Sequence, residues 1–200
     1  MGRLRGGRGK KVCKRGASMA GWGAAGDNPQ LFTALRGRPQ AHWKSCEESS
    51  VSTEVLFYHL TRQPLEDVLP GLLMKCLERD WKVVVQCGSD ERCAALDAHL
   101  WSFSDHEFLP HGTIADGFPE HQPVFLTTGP DNPNGAEVRF LVDRAVPPPI
   151  EGYGRVVVLF DGNDHEALAD ARQHWKLFKG QGAEVTYWQQ RDGGGWERKA

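Results

Sequence analysis

The chain carries the residue types that do chemistry near neutral pH, but few of them at a spacing that chemistry can use. Its eight histidines are His42, His59, His99, His106, His111, His121, His165 and His174. No two form the i, i+4 pair that puts both rings on one helix face for a metal ion. His106 and His111 fall in a loop-rich stretch within reach of His121, where histidines without a role are the commoner outcome. The five cysteines, Cys13, Cys46, Cys76, Cys87 and Cys93, include no C-x-x-C pair, so free thiols in a reducing compartment are expected rather than zinc or disulfides. No serine sits in G-x-S-x-G. Asp161 and Asp164 follow the strongest strand candidate, a common place for metal-binding carboxylates in α/β enzymes. A helix N-cap explains the same two residues without a metal, because Asp side chains accept the orphan N–H groups of a helix start.

Phosphate chemistry finds no better footing. The turn after the first strand candidate reads TRQPLED (61–67) and the turn after the second GSDERC (88–93). Neither supplies G-x-G-x-x-G or G-x-x-x-x-G-K-[ST], so no backbone cradle for a phosphate is encoded. Gly9-Lys10-Lys11 looks like the end of a P-loop but lacks both the Ser/Thr and a preceding strand. No cofactor and no metal are expected.

The more informative pattern is DHEALADARQHWKLFKG (164–180 region). Leu168, Ala171, Trp175 and Phe178 recur at spacings of three and four and make one helical stripe, while Arg172, Lys176 and Lys179 make the adjacent one, with His174 nearby. An amphipathic helix with a solvated basic face is the commonest use of such a pattern. The alternative is a basic patch beside an aromatic, suited to a short acidic peptide with an apolar end.

These residues need elements to hold them. EVLFYHL (54–60), KVVVQC (82–87), PVFLTT (123–128), EVRFLV (137–142), RVVVLF (155–160) and EVTYWQQ (184–190) read as strands. Helices are expected after Pro64, with a kink or break at Pro70-Gly71, over 92–101, and from about Asp164 to Lys179, ended by Gly180 or Gly182. Ser102–His121 reads as loop, and the tail RDGGGWERKA as loose. Strands alternating with helices imply an α/β fold, a mostly parallel open sheet with helices on both faces.

Charge divides the chain. Residues 1–50 hold ten Lys/Arg against three Asp/Glu, a net +7, and residues 51–200 hold fourteen against twenty-three, a net −9, together the −2 of the whole. A folded part at −9 repels phosphates over most of its surface, so no strong direct binding of nucleic acid is expected from it. Residues 1–50, with nine glycines and no periodicity, are expected to be a disordered basic tail or sequence outside the natural protein, with Val51 as a GTG-encoded start. A nucleic-acid-binding arm is the rival reading of that tail. No run approaches the roughly 18 apolar residues of a membrane span, and no signal-type h-region follows the basic start, so a cytoplasmic protein is expected.

The segments LDAHLWSFSDHEFLPHG (96–112), QPVFLTT (122–128), RVVVLFDGND (155–164) and ARQHWKLFKGQGAEVTYWQQ (171–190) together resemble the chi subunit of bacterial DNA polymerase III holoenzyme, in the same order, over about residues 53–190. The resemblance implies a Rossmann-like fold without a nucleotide site, and a non-catalytic accessory role in the clamp-loader complex. It implies two partners: the acidic C-terminal tail of single-stranded DNA-binding protein (SSB), and the psi subunit or another clamp-loader component. The tail-binding positions carried over are Arg172, Trp175, Lys176 and Lys179, with Phe108. The family has an extra basic residue where this chain has His174, and tyrosine where it has Trp175 and Phe178. Residues 1–50 have no counterpart. The stretch 101–111, with Trp101, Phe103, Phe108 and Leu109, carries more apolar bulk than a free loop should expose. Folding down to cap the sheet edge is one expectation for it, and a partner interface built from Trp101, Phe103 and Leu109 the other. A small metal- or nucleotide-dependent enzyme using Asp161 and Asp164 is the alternative function.

Overall fold

The computed structural model describes residues 53–191 and 195–200. The expectations for residues 1–50, including the start at Val51 and the thiols of Cys13 and Cys46, lie outside the described residues. In chain order the elements are β1 (Glu54–Leu60), α1 (Leu65–Leu77), β2 (Val83–Gln86), α2 (Asp90–Ser102), β3 (His111–Gly112), β4 (Val124–Thr127), β5 (Val138–Leu141), β6 (Arg155–Asp161), α3 (His165–Gly180), β7 (Glu184–Gln190) and β8 (Trp196–Arg198). Two 3-10 turns, 114–116 and 119–121, follow β3.

The strands form one sheet in the order β3-β4-β2-β5-β6-β1-β7-β8. Every pairing is parallel except β7 with β8. The fold is therefore the α/β class expected, an open and mostly parallel sheet. Side-chain alternation divides its faces. Leu56, Val83, Val85, Leu126, Phe140 and Leu159 pack with Leu69 and Leu73 of α1 and Leu96 and Leu100 of α2. Val55, Phe57, Val156, Val158 and Phe160 point the other way and pack with Ala167, Ala171 and Phe178 of α3.

Local sequence explains most of the boundaries. Ser89 caps α2 by accepting from the Arg92 N–H, and Asp164 caps α3 by accepting from Glu166 N–H at 2.8 Å. After α3, Gly182 at φ +79° supplies the left-handed turn. Two expectations need correction. Helix α1 runs through Pro70 without a break. Proline removes the N–H that would bond the Glu66 carbonyl four residues back, and His99 Nε2 from α2 donates to that carbonyl instead, at 3.0 Å. The C-terminal tail is also not loose: Trp196–Arg198 pairs with β7, and Trp196 meets Tyr58 edge-on at 4.6 Å.

One half of the α3 face has no helix over it. Above β4, β2 and β5 sits a small cluster of Val84, Phe125 and Ala136, closed over by the loops 129–136 and 145–153. Arg139 of β5, fully buried, ties those loops down. Its Nε and Nη2 donate to Tyr153 Oη at 2.9 and 2.6 Å, and Nη1 donates to Gln86 Oε1 at 2.6 Å. Nη2 also donates to the carbonyls of Pro130 and Asp131, at 2.8 and 2.6 Å. Replacing Arg139 with Met leaves those acceptors unanswered inside the protein, and with Lys the forked geometry is lost. Each change is expected to cost about 3 kcal/mol, read from urea denaturation midpoints. An Arg139→Met variant as stable as the parent would show that the loops close without the guanidinium.

Candidate functional site

In open α/β folds ligands bind beyond the carboxyl ends of the strands. A cavity of about 490 Å³ lies there, lined among others by Arg92, Asp143, Arg144, Asp161, Asp164 and Asp170. Its walls are knit together by ion pairs. Arg92 reaches Glu66 at 2.6 Å and Asp143 at 3.0 Å, and Arg144 reaches Asp170 at 2.6 Å and also Glu166. Asp161 Oδ1 accepts from the backbone and side-chain amides of Asn163, and Asp164 is the α3 cap. The two carboxylates of the enzyme reading are thus engaged in shaping a turn and a helix start. Among the described residues no group of three His, Cys, Asp or Glu could hold a metal ion. A phosphate entering the cavity would face four aspartates.

The α3 side offers different chemistry. A groove of about 550 Å³ runs between α3 and the sheet, lined by Phe57, His59, Phe160, Leu168, Trp175 and Tyr187 together with Arg172 and Lys176. The helical stripe expected from the sequence is what builds it. Ala171 and Phe178 are buried against the sheet, and Leu168 and Trp175 are half-buried beside them. Trp175 meets Phe57 edge-on at 5.2 Å and Tyr187 at 6.3 Å. Arg172, Lys176 and Lys179 are exposed along the rim. Lys179 Nζ lies over the Trp175 ring at 5.1 Å, a cation–π contact that holds both side chains. No described carboxylate forms an ion pair with these three cations.

Four groove residues were not singled out from the sequence: Phe57, His59, Phe160 and Tyr187. The period of two in β1 and β6 carries the signal, since it puts Phe57, His59 and Phe160 on the α3 face. His59 Nδ1 bonds Tyr187 Oη at 2.5 Å, and its ring stacks on Phe160 at 5.1 Å. A side chain at Gly162 would start 1.8 Å from His59 Nε2, so only glycine fits there. Burial raises the Tyr187 hydroxyl pKa, partly opposed by the Arg172 charge.

The structure does not bring Phe108 to this groove. Phe108 follows α2 and sits 6.1 Å from Trp101, near the β3 edge, and β4, β2 and β5 lie between that edge and β6. The stretch 101–111 divides into a buried and an exposed part. Leu109 is buried and Phe103 half-buried, so they cap the sheet edge, while Trp101 is 61% exposed and Phe108 67%. The Trp101 ring rests on the buried His111 ring at 4.8 Å.

Residues 52–186, more than half of the chain, match the family described as DNA polymerase III chi subunit, HolC. The chain belongs to that family. A curated relative from Rickettsia prowazekii (strain Madrid E), named probable DNA polymerase III subunit chi, is 29% identical over 85 residues. Those residues are 42% of this chain and 52% of the relative, so the match spans about half the length of the relative. The family match takes in β1 through α3 and the first residues of β7, and leaves β8 outside it. Among the described residues of this chi family member no helix is long and apolar enough to cross a membrane.

Two histidines of the α3 side make the stability of the fold depend on pH. Burial holds both His59 and His174 below the ordinary imidazole value, against the opposing charges of Asp161 and Asp170. The unfolded chain takes up protons near pH 6.5 that the folded one resists. Their stabilisation is therefore complete above about pH 6.5 and falls as pH drops toward the lowered folded values. The melting midpoint is expected to fall between pH 7.5 and pH 5, and to fall less in His59→Gln and His174→Gln variants. Identical pH slopes in the parent and both variants would remove these two rings from the account.

Proposed function

We propose that this chi family member is a non-catalytic accessory subunit of the replicative polymerase, acting in the cytoplasm to link the clamp-loader complex to SSB. The groove along α3 receives the acidic C-terminal tail of SSB, with Arg172, Lys176 and Lys179 facing its carboxylates and Trp175 helping to hold its terminal aromatic residue. The observation that carries this reading is the pairing of an apolar groove with three cations that no described carboxylate neutralises, on residues whose charge is otherwise negative. Long-range steering by the cations and a desolvated aromatic anchor are the two components a short acidic peptide needs. The exposed Trp101 and Phe108 serve a second partner, the psi subunit or another clamp-loader component, with Phe103 and Leu109 supporting them from below.

A synthetic peptide of the SSB C-terminus is expected to bind at about micromolar strength, near −8 kcal/mol. In calorimetry, Arg172→Ala with Lys176→Ala should weaken binding roughly tenfold at low salt, and the loss should shrink as salt rises. Trp175→Ala should weaken it at every salt concentration. Unchanged affinity in the double variant would reduce the basic rim to a solvated face.

The second surface is tested separately. Trp101→Ala with Phe108→Ala is expected to leave peptide affinity intact and to abolish co-purification with the clamp-loader complex. Loss of peptide binding in that variant would return Phe108 to the tail site.

A further inference from the structure

The segment that closes the groove opposite α3 lies beyond the family match. Strand β8 pairs antiparallel with β7, Glu197 opposite Gln189 and Arg198 opposite Trp188. The ladder continues past β8: Lys199 N–H donates to the Tyr187 carbonyl at 2.8 Å, and Tyr187 N–H donates to a backbone oxygen of Ala200 at 2.9 Å. Directly opposed residues share a face, so Glu197 and Lys199 lie on the α3 side, Lys199 next to Tyr187. Trp196 goes to the other side and packs on Tyr58, which anchors the segment. Ala200 is one of the residues lining the groove.

We infer that residues 196–200 form the second wall of the peptide groove and that Lys199 is a further cation of the site, facing Arg172 and Lys176 across it. This rests on the reading of the groove as a site for an acidic peptide. A chain laid along α3 then meets positive charge on both flanks rather than one, which constrains where its carboxylates lie and not only how strongly they are attracted. The present partner of Lys199 is Glu197, at 3.0 Å, with Arg191 also 4.0 Å from that carboxylate. An exposed pair of this kind contributes little, so Lys199 exchanges it readily for a carboxylate of the peptide. Glu197 sits on the same face and opposes an acidic ligand.

The test uses the full chain and a fluorescently labelled peptide of the SSB C-terminus in anisotropy titrations. Lys199→Glu is expected to weaken binding roughly tenfold at low salt, with the difference closing at high salt. Glu197→Gln is expected to strengthen it roughly twofold. Lys75→Glu, on the exposed side of α1 across the sheet, makes the same change in net charge and is expected to leave affinity near that of the parent. A Lys199→Glu loss no larger than that of Lys75→Glu, or weaker binding in Glu197→Gln, overturns the inference while leaving the peptide reading in place. Failure of the unaltered chain to bind the peptide at all defeats that reading first.

Discussion

The guanidinium of Arg139 has no exposed surface, and its five N–H donors must all find acceptors inside the protein. The partners it bonds are neutral: a phenol, an amide and backbone carbonyls. A buried cation held this way is stable only while every acceptor stays in place. Two loops that would otherwise move independently, 129–136 and 145–153, are therefore fixed to each other and to β2 through Gln86, whose own amide donates to the Val146 carbonyl. With the β4-β2-β5 half of that face closed by loops, α3 packs over β6, β1 and β7. It does so through small residues, Ala167 and Ala171. Phe178 is buried in the same cluster, and Ala171 also lines the groove beside Trp175.

The same economy of charge accounts for what the strand ends do not do. At the carboxyl ends, where a fold of this class places nucleotide phosphates, Arg92 joins α1, α2 and the end of β5 through Glu66 and Asp143, and Arg144 joins the β5 end to α3. A side chain at Gly88 would start 1.9 Å from the Asp143 carbonyl oxygen, so the β2–α2 turn is pressed against this network. The helix starts are occupied by Ser89 and Asp164. The turn before α1 is answered too, its Thr61, Arg62 and Gln63 N–H groups donating to Gln190 Oε1. The crevice is part of the frame, and the apolar groove, with cations at its rim that pair with no described carboxylate, lies instead between α3 and the sheet.

How much of this the sequence discloses depends on whether the determining contact is local. The β-branched runs of β2 and β6 and the caps at Ser89 and Asp164 are local, and they are legible at the level of single residues. The continuity of α1 is not, because the group that compensates Pro70 is His99, from the next helix. The fold of the tail is not either: Trp196 becomes part of a strand only because β7 presents an open edge and Tyr58 an apolar surface. Arg139 in EVRFLV gives no sign of being buried, since its acceptors come from residues 86, 129–131 and 153. The α3 stripe was legible because a helix displays its own face, whereas the sheet residues that complete the groove require the strand order β6-β1-β7. The separation of Phe108 from that groove is hidden for the same reason, since proximity across a sheet is set by topology and not by motif.

Topology also decides whether one small domain can serve two partners at once. The groove lies against β6, β1 and β7, while Trp101 and Phe108 lie near the β3 edge, with β4, β2 and β5 between. Parallel strands are about 4.8 Å apart, so the intervening strands alone separate the two surfaces by on the order of 15–20 Å. Groups that far apart with no shared contacts act nearly independently. A rigid sheet between them transmits force without requiring either site to change shape. For a protein proposed to hold a polymerase assembly to a coated template, that is the useful arrangement. Under that proposal, occupancy of one surface neither excludes nor demands the other, and the strength of the link is that of the weaker of two separate contacts. The groove, built on exposed cations and a half-buried indole, is the one of the two that ionic strength can loosen.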